Sequence, residues 1–136
     1  MHSAGCAAER AGRRDETGAT IVEFLSVAVL TVLALLGVAQ MAMWTWARNV
    51  AVNAAHEGAR TAAEVGRPLD DGVARARTLL HDGLGRGADG FAIEAAEVGR
   101  EVHVSARGEA PTVLPFMPRF VVTARAHAFD EDALTR

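Results

Sequence analysis

Phe24-Leu-Ser-Val-Ala-Val-Leu-Thr-Val-Leu-Ala-Leu-Leu-Gly-Val-Ala-Gln-Met-Ala-Met-Trp-Thr-Trp-Ala47 contains no Asp, Glu, Lys, Arg or His. Its polar breaks are Ser26, Thr31, Gln40 and Thr45. At about 1.5 Å per residue such a run makes a helix of roughly 36 Å, enough to cross a bilayer core of about 30 Å with some tilt. Trp44 and Trp46 stand at its far end, where amphipathic rings favour the headgroup level. A core helix of a soluble domain rarely stays uncharged for so long. A secretory signal has a shorter apolar region, about 7–15 residues, followed by a small-residue cleavage site. Here the run flows into more helix, so the segment reads as a retained anchor.

Outward from this run, the rest of the chain is short. With 136 residues and net charge −3, it has room for one small domain beside the helix. No basic patch points to nucleic acid. Every basic residue other than His is Arg. Cys6 is the one cysteine, which excludes an intramolecular disulfide and a Cys-based zinc cage. Ser3-Ala-Gly-Cys6 lacks the preceding apolar region that a lipoprotein cleavage box needs.

Residues 1–18 read as a leader or cytoplasmic segment, polar and without apolar periodicity, for which disorder is expected. Arg13 and Arg14 just before the run favour a cytoplasmic N-terminus and an extracytoplasmic C-terminal part. Glu23 is an acid at the start of an apolar helix, costly to desolvate. The positive end of the helix dipole offsets part of that cost. A cut between Gly18 and Ala19 would also place a new α-amino group one helical turn before Glu23, and in parallel helices that amine could neutralise Glu23 of a neighbouring subunit.

Gly18, Ala19 and Glu23, placed after basic residues and before a membrane-length helix, resemble the processing site of type IV pilins and pilin-like proteins. The resemblance implies prepilin-peptidase cleavage after Gly18, with Ala19 as first mature residue and Glu23 as fifth.

Beyond the run the helix is expected to continue to about Val65. Ala47, Ala51, Ala55, Ala59 and Ala63 recur every four residues, with Ala54, Gly58 and Ala62 beside them, making a broad face of very small side chains. Such a face admits close approach of another backbone, either of a neighbouring subunit or of the chain's own head. Asn49, Asn53, His56, Glu57, Arg60 and Glu64 lie opposite. Arg48-Asn49 followed by Glu57-Gly58-Ala59-Arg60 is similar to the post-membrane segment of TadE-like proteins, pilin-like minor components of tight-adherence (Flp-type) pilus machines. Residues 18–66 carry this resemblance; the remainder matches in layout. It implies a structural or assembly role in the pilus or secretion machine, with membrane lipid, prepilin peptidase, other pilins and the assembly platform as partners.

Gly66 and Pro68 stop the long helix. A second helix is expected from Asp70 to about His81, with Val73, Ala76, Leu79 and Leu80 inward and Arg75 and Arg77 outward. Residues 82–90 read as a flexible linker. Gly85-Arg-Gly-Ala-Asp-Gly90 fits G-x-G-x-x-G but has helix before it and strand after it, the reverse of a dinucleotide fingerprint. Strands are expected over Phe91–Val98, around Val102–Ser105 and over Phe120–Phe129, with a turn at Gly99-Arg100 and a loop over 108–118. Phe116 and Met117 at the loop tip are a contact point or a cover for the core. The fold class is α+β: residues 1–18 as leader, 19–66 as transmembrane and juxtamembrane helix, 67–136 as a small extracytoplasmic head.

Catalytic signals are missing. His56-Glu57 has no second His to make a zinc-protease helix, and no nucleophile elbow occurs. His103 and His127 can become cross-strand neighbours, yet a metal would need a third ligand. The expectation is no enzyme, no cofactor, no metal and no nucleic acid. A single-pass protein of the cytoplasmic membrane follows, either a processed pilin-like component or an uncleaved anchor whose head binds another envelope protein.

Overall fold

A computed structural model describes residues 5–64, 66–112 and 118–129. Helix α1 spans Gly5–Ala63, α2 spans Leu69–Leu84 and a 3-10 helix spans Gly85–Gly90. Strands β1 (Ala92–Val98), β2 (Glu101–Glu109) and β3 (Val121–Phe129) form one antiparallel sheet in the order β1-β2-β3. The class is α+β, as the alternation of periods 3.6 and 2 in the sequence requires. The chain divides into two compact units, Met1–Val38 and Ala39–Arg136.

In the first unit, α1 begins at Gly5, inside the stretch expected to lack regular structure. That expectation is corrected. Propagating an existing helix costs far less than nucleating one, and the residues from Gly5 to Gly18 include Ala, Arg and Glu, which helices accept readily. From Thr20 to Val38 every side chain but Ala28 and Leu36 is exposed.

The second unit is built on very small residues. Ala47, Ala51, Ala54, Ala55 and Ala59 from α1 are buried together with Ala76 and Leu80 of α2, Val102, Val104 and Ala106 of β2, and Val122, Ala124 and Ala126 of β3. Strand alternation supplies the inner face: β2 and β3 are buried at every second position. Registers such as Val104↔Ala126 and Ala106↔Ala124 set these inward residues side by side. With no bulky core residue between them, helix backbones come close. A Cβ on Gly58 would lie 2.9 Å from the Gly72 carbonyl oxygen and 3.0 Å from Ala76 Cβ.

α1 ends at Ala63, and Gly66 has φ +74°, the left-handed stop expected there. α2 carries Asp70 and Asp71 in its first turn, where the dipole favours acid. Its C-terminal end differs from expectation. Residues 82–90 are not a linker: α2 continues to Leu84 and the 3-10 helix follows. Glycine made the segment adaptable, while buried Ala88 and Phe91 anchor it. The Gly85 N–H also donates to the His81 carbonyl, and the Phe91 N–H to the Ala88 carbonyl at 2.9 Å.

Gly99 (φ +69°) and Arg100 connect Val98 to Glu101. Glycine with positive φ at the first central position matches a type II′ hairpin turn. β2 is longer than expected, reaching Glu109. Gly108 belongs to it because the Phe91 ring occupies the space a Cβ there would need. Opposite, the Ala110 N–H donates to the Phe120 carbonyl at 2.9 Å and Arg119 Nη1 lies 3.0 Å from Glu109 Oε2, closing the neck of the loop between β2 and β3. Phe116 and Met117 lie outside the described residues.

Candidate functional site

The candidate functional surface is α1 itself. Between Ile21 and Val38, eleven large apolar side chains are exposed, among them Phe24, Leu25, Leu30, Leu35 and Val38. Moving that many into an apolar medium is worth on the order of 15–20 kcal/mol, allowing for partial exposure. A typical domain is stable by only about 5–15 kcal/mol. The medium around this segment therefore dominates its energetics. The span Thr20–Ala63 is long and apolar enough to cross a membrane, and its most apolar window is unburied.

The four polar breaks in the apolar run resolve in two ways. Ser26 Oγ donates to the Val22 carbonyl at 2.8 Å, Thr31 Oγ1 to Val27 at 2.8 Å and Thr45 Oγ1 to Met41 at 2.9 Å. Each hydroxyl is satisfied one turn back within its own helix, which removes most of the cost of lipid exposure. Gln40 is different. It is 3% exposed and its Nε2 donates to the Pro111 carbonyl at 3.4 Å. The head's packing on α1 thus starts at Gln40, several residues before the end of the uncharged run. Before it, residues 20–39 make a stretch about 30 Å long, which matches the thickness of a bilayer core.

The residues expected around processing lie at the other end of this stretch. Gly18 and Ala19 are within α1. Glu23 is exposed and, among the described residues, forms no ion pair.

The small-residue face lies against the chain's own head. Ala47, Ala51, Ala55, Gly58, Ala59 and Ala63 are all buried. Within the Glu57-Gly58-Ala59-Arg60 motif, roles separate cleanly. Gly58 sits at the close approach to Gly72, Ala59 is buried, and Glu57 and Arg60 form a solvent-side pair at 3.6 Å. Arg48 stacks over the Trp44 ring at 5.7 Å, and Asn49 is exposed.

Residues 18–60 match the family model of TadE-like proteins. The chain carries a TadE-like segment. That segment spans the Gly18–Glu23 lead-in, the exposed apolar helix and the motif helix under the head. The match covers about a third of the chain. No curated protein and no solved structure matches the chain.

Outside the TadE-like segment, the two histidines expected to be neighbours do meet. His103 and His127 pair across β2 and β3 with ring centroids 5.7 Å apart, and Glu101 lies 3.2 Å from His103. Among the described residues no group of three or more His, Cys, Asp or Glu is placed to hold a metal. A shallow 280 Å³ depression on the sheet includes Glu94, His103, Ser105 and Arg125. The Trp44–Arg48 stack is the feature that residue-by-residue reading missed. The i, i+4 spacing of Trp and Arg on one helix was the signal for it.

Proposed function

We propose that this chain is a pilin-like minor component of a Tad (Flp-type) pilus or secretion machine, anchored by residues 20–39 with its head outside the cytoplasm. Prepilin peptidase cuts it between Gly18 and Ala19. The freed amine of Ala19 then faces Glu23 of a neighbouring pilin-like subunit, and this pairing guides its incorporation. The protein is a substrate and a structural part, and carries out no reaction itself.

The observation that carries this reading is the TadE-like match over residues 18–60, which contains both Glu23 and an unburied apolar helix. Burial of the small-residue face in the head adds a constraint. Since Ala51, Ala55 and Ala59 are occupied by intramolecular packing, contacts with other subunits fall to the exposed stretch 20–39 and to the outer surface of the head.

Intact mass of the protein extracted from membranes tests the proposal. With prepilin peptidase present, the expected mass begins at Ala19; with the peptidase deleted, residues 1–18 are retained. A full-length mass in both strains would leave an uncleaved anchor and overturn the processing role. Co-purification with pilus platform proteins is expected to fall on Glu23→Ala while membrane insertion persists.

A further inference from the structure

We propose that Arg48, held on the Trp44 ring, is a binding site for the phosphate of an anionic phospholipid. The inference rests on the membrane reading of residues 20–39. From Thr20 on, where burial is described, Gln40 is the first buried polar residue of α1, tied to Pro111 in the head, so the hydrocarbon layer ends at about that level. Counted from Gln40, Trp44 stands about 6 Å further along the axis and the Arg48 Cα about 12 Å. Each headgroup layer is about 5–8 Å deep. Trp44 is therefore at headgroup level, while the Arg48 backbone lies beyond it.

The side chain brings the charge back. Helical side chains lean toward the N-terminus, and here the guanidinium carbon lies 5.7 Å from the Trp44 ring centroid. The cation thus lies beside the Trp44 ring, on the lipid side of its own Cα, at about the depth of the phosphates. Trp44 is partly buried against the core of the head, so the platform under the guanidinium is fixed by tertiary packing. Below it, Met41 is 63% exposed, and the Thr45 hydroxyl is satisfied by the Met41 carbonyl. Met41, Trp44 and Arg48 follow one another along one helix face from apolar to amphipathic to charged.

Among the described residues Arg48 makes no ion pair, whereas Arg60, Arg67 and Arg119 all do. With the guanidinium carbon over the indole and no ion pair among the described residues, its N–H groups suit the two non-bridging oxygens that share the charge of a phosphodiester. A net anionic lipid is preferred because a zwitterionic one brings its own cation to the same phosphate. Trp46, half exposed two residues away, adds a second interfacial ring.

Native mass spectrometry of the full-length protein, released from bilayers of equimolar phosphatidylglycerol and phosphatidylcholine, tests the site. Wild type is expected to retain one phosphatidylglycerol in preference to phosphatidylcholine. Arg48→Gln is expected to lower that retention about tenfold, and Arg48→Lys, which keeps the charge without the stacked plane, to fall between. Arg48 is exposed, so the thermal unfolding of the head is expected to stay as in wild type. Unchanged phosphatidylglycerol retention in Arg48→Gln, or equal retention of both lipids by wild type, would overturn the proposal. Carbonate extraction distinguishes the underlying reading: release of wild type from membranes would show that residues 20–39 do not span lipid at all.

Discussion

Replacing Gly72 with Ala sets two well-known effects against each other at one position. Gly72 lies inside α2, where Ala is favoured over Gly by about 1 kcal/mol. Were the site open, Gly72→Ala would stabilise the protein. The site is closed: a Cβ there would lie 2.5 Å from the Gly58 carbonyl oxygen and 2.6 Å from Ala62 Cβ. Ordinary contact begins near 3.4 Å, so α1 and α2 must separate by roughly 1 Å. Neither neighbour is the far end of a flexible side chain that can swing away; one is backbone and the other a Cβ. Overpacking of this kind costs about 1–3 kcal/mol, and a backbone collision belongs at the upper end. The net expectation is destabilisation of about 2 kcal/mol. For a domain the size of the head this lowers Tm by roughly 10 °C. The assay is thermal unfolding of the full-length protein in detergent, followed by tryptophan fluorescence, because Trp44 packs on the core. Gly37→Ala is the control, since a Cβ there meets nothing within 4 Å and the transition of the head is expected to stay in place. A Tm for Gly72→Ala equal to or above wild type would refute the close approach of the two helices.

Gln40→Leu removes the donor to the Pro111 carbonyl and leaves that oxygen short of a partner, at a cost of about 1–3 kcal/mol; the same melting experiment is expected to show a fall of several degrees. Gly99→Val forces a branched side chain into positive φ at the β1–β2 turn. It is expected to cost about 1–2 kcal/mol and to speed amide exchange first along β1, an edge strand. Ala55→Leu inserts a bulky group at a fully buried position and is expected to abolish the cooperative transition of the head; a normal melt would show that the face is not packed as described. Gly18→Leu is expected to stop processing, read as retention of residues 1–18 in the intact mass.

The sequence alone singled out the apolar run, because so long an uncharged segment is accommodated more readily by lipid than by the core of a small domain. It also showed the existence and order of the three strands and the Gly99 turn, since period-two alternation and a turn glycine are local signals, but not that β2 continues through Gly108 to Glu109. Glu23 stood out as a charge beside an uncharged run, and Gly18 through the resemblance to a pilin processing site. The 3-10 helix Gly85–Gly90 was not legible. Its glycines permit many conformations, and Ala88 and Phe91 select one only by being buried against distant parts of the chain.

Tertiary structure alone decided what packs on the small-residue face and where, along the apolar run, exposure gives way to burial against the head. A row of alanines says that something approaches closely, and it is silent about whether the partner is another subunit or the chain's own α2. Gly72, fourteen residues from Gly58, answers that by lying against it. Gln40 reads in sequence as one more polar break in an apolar run, equivalent to Thr31 or Thr45. Its distinction comes from Pro111, a residue 71 positions away, because hydroxyls can be satisfied within one helical turn while a buried amide side chain here finds its acceptor across the fold.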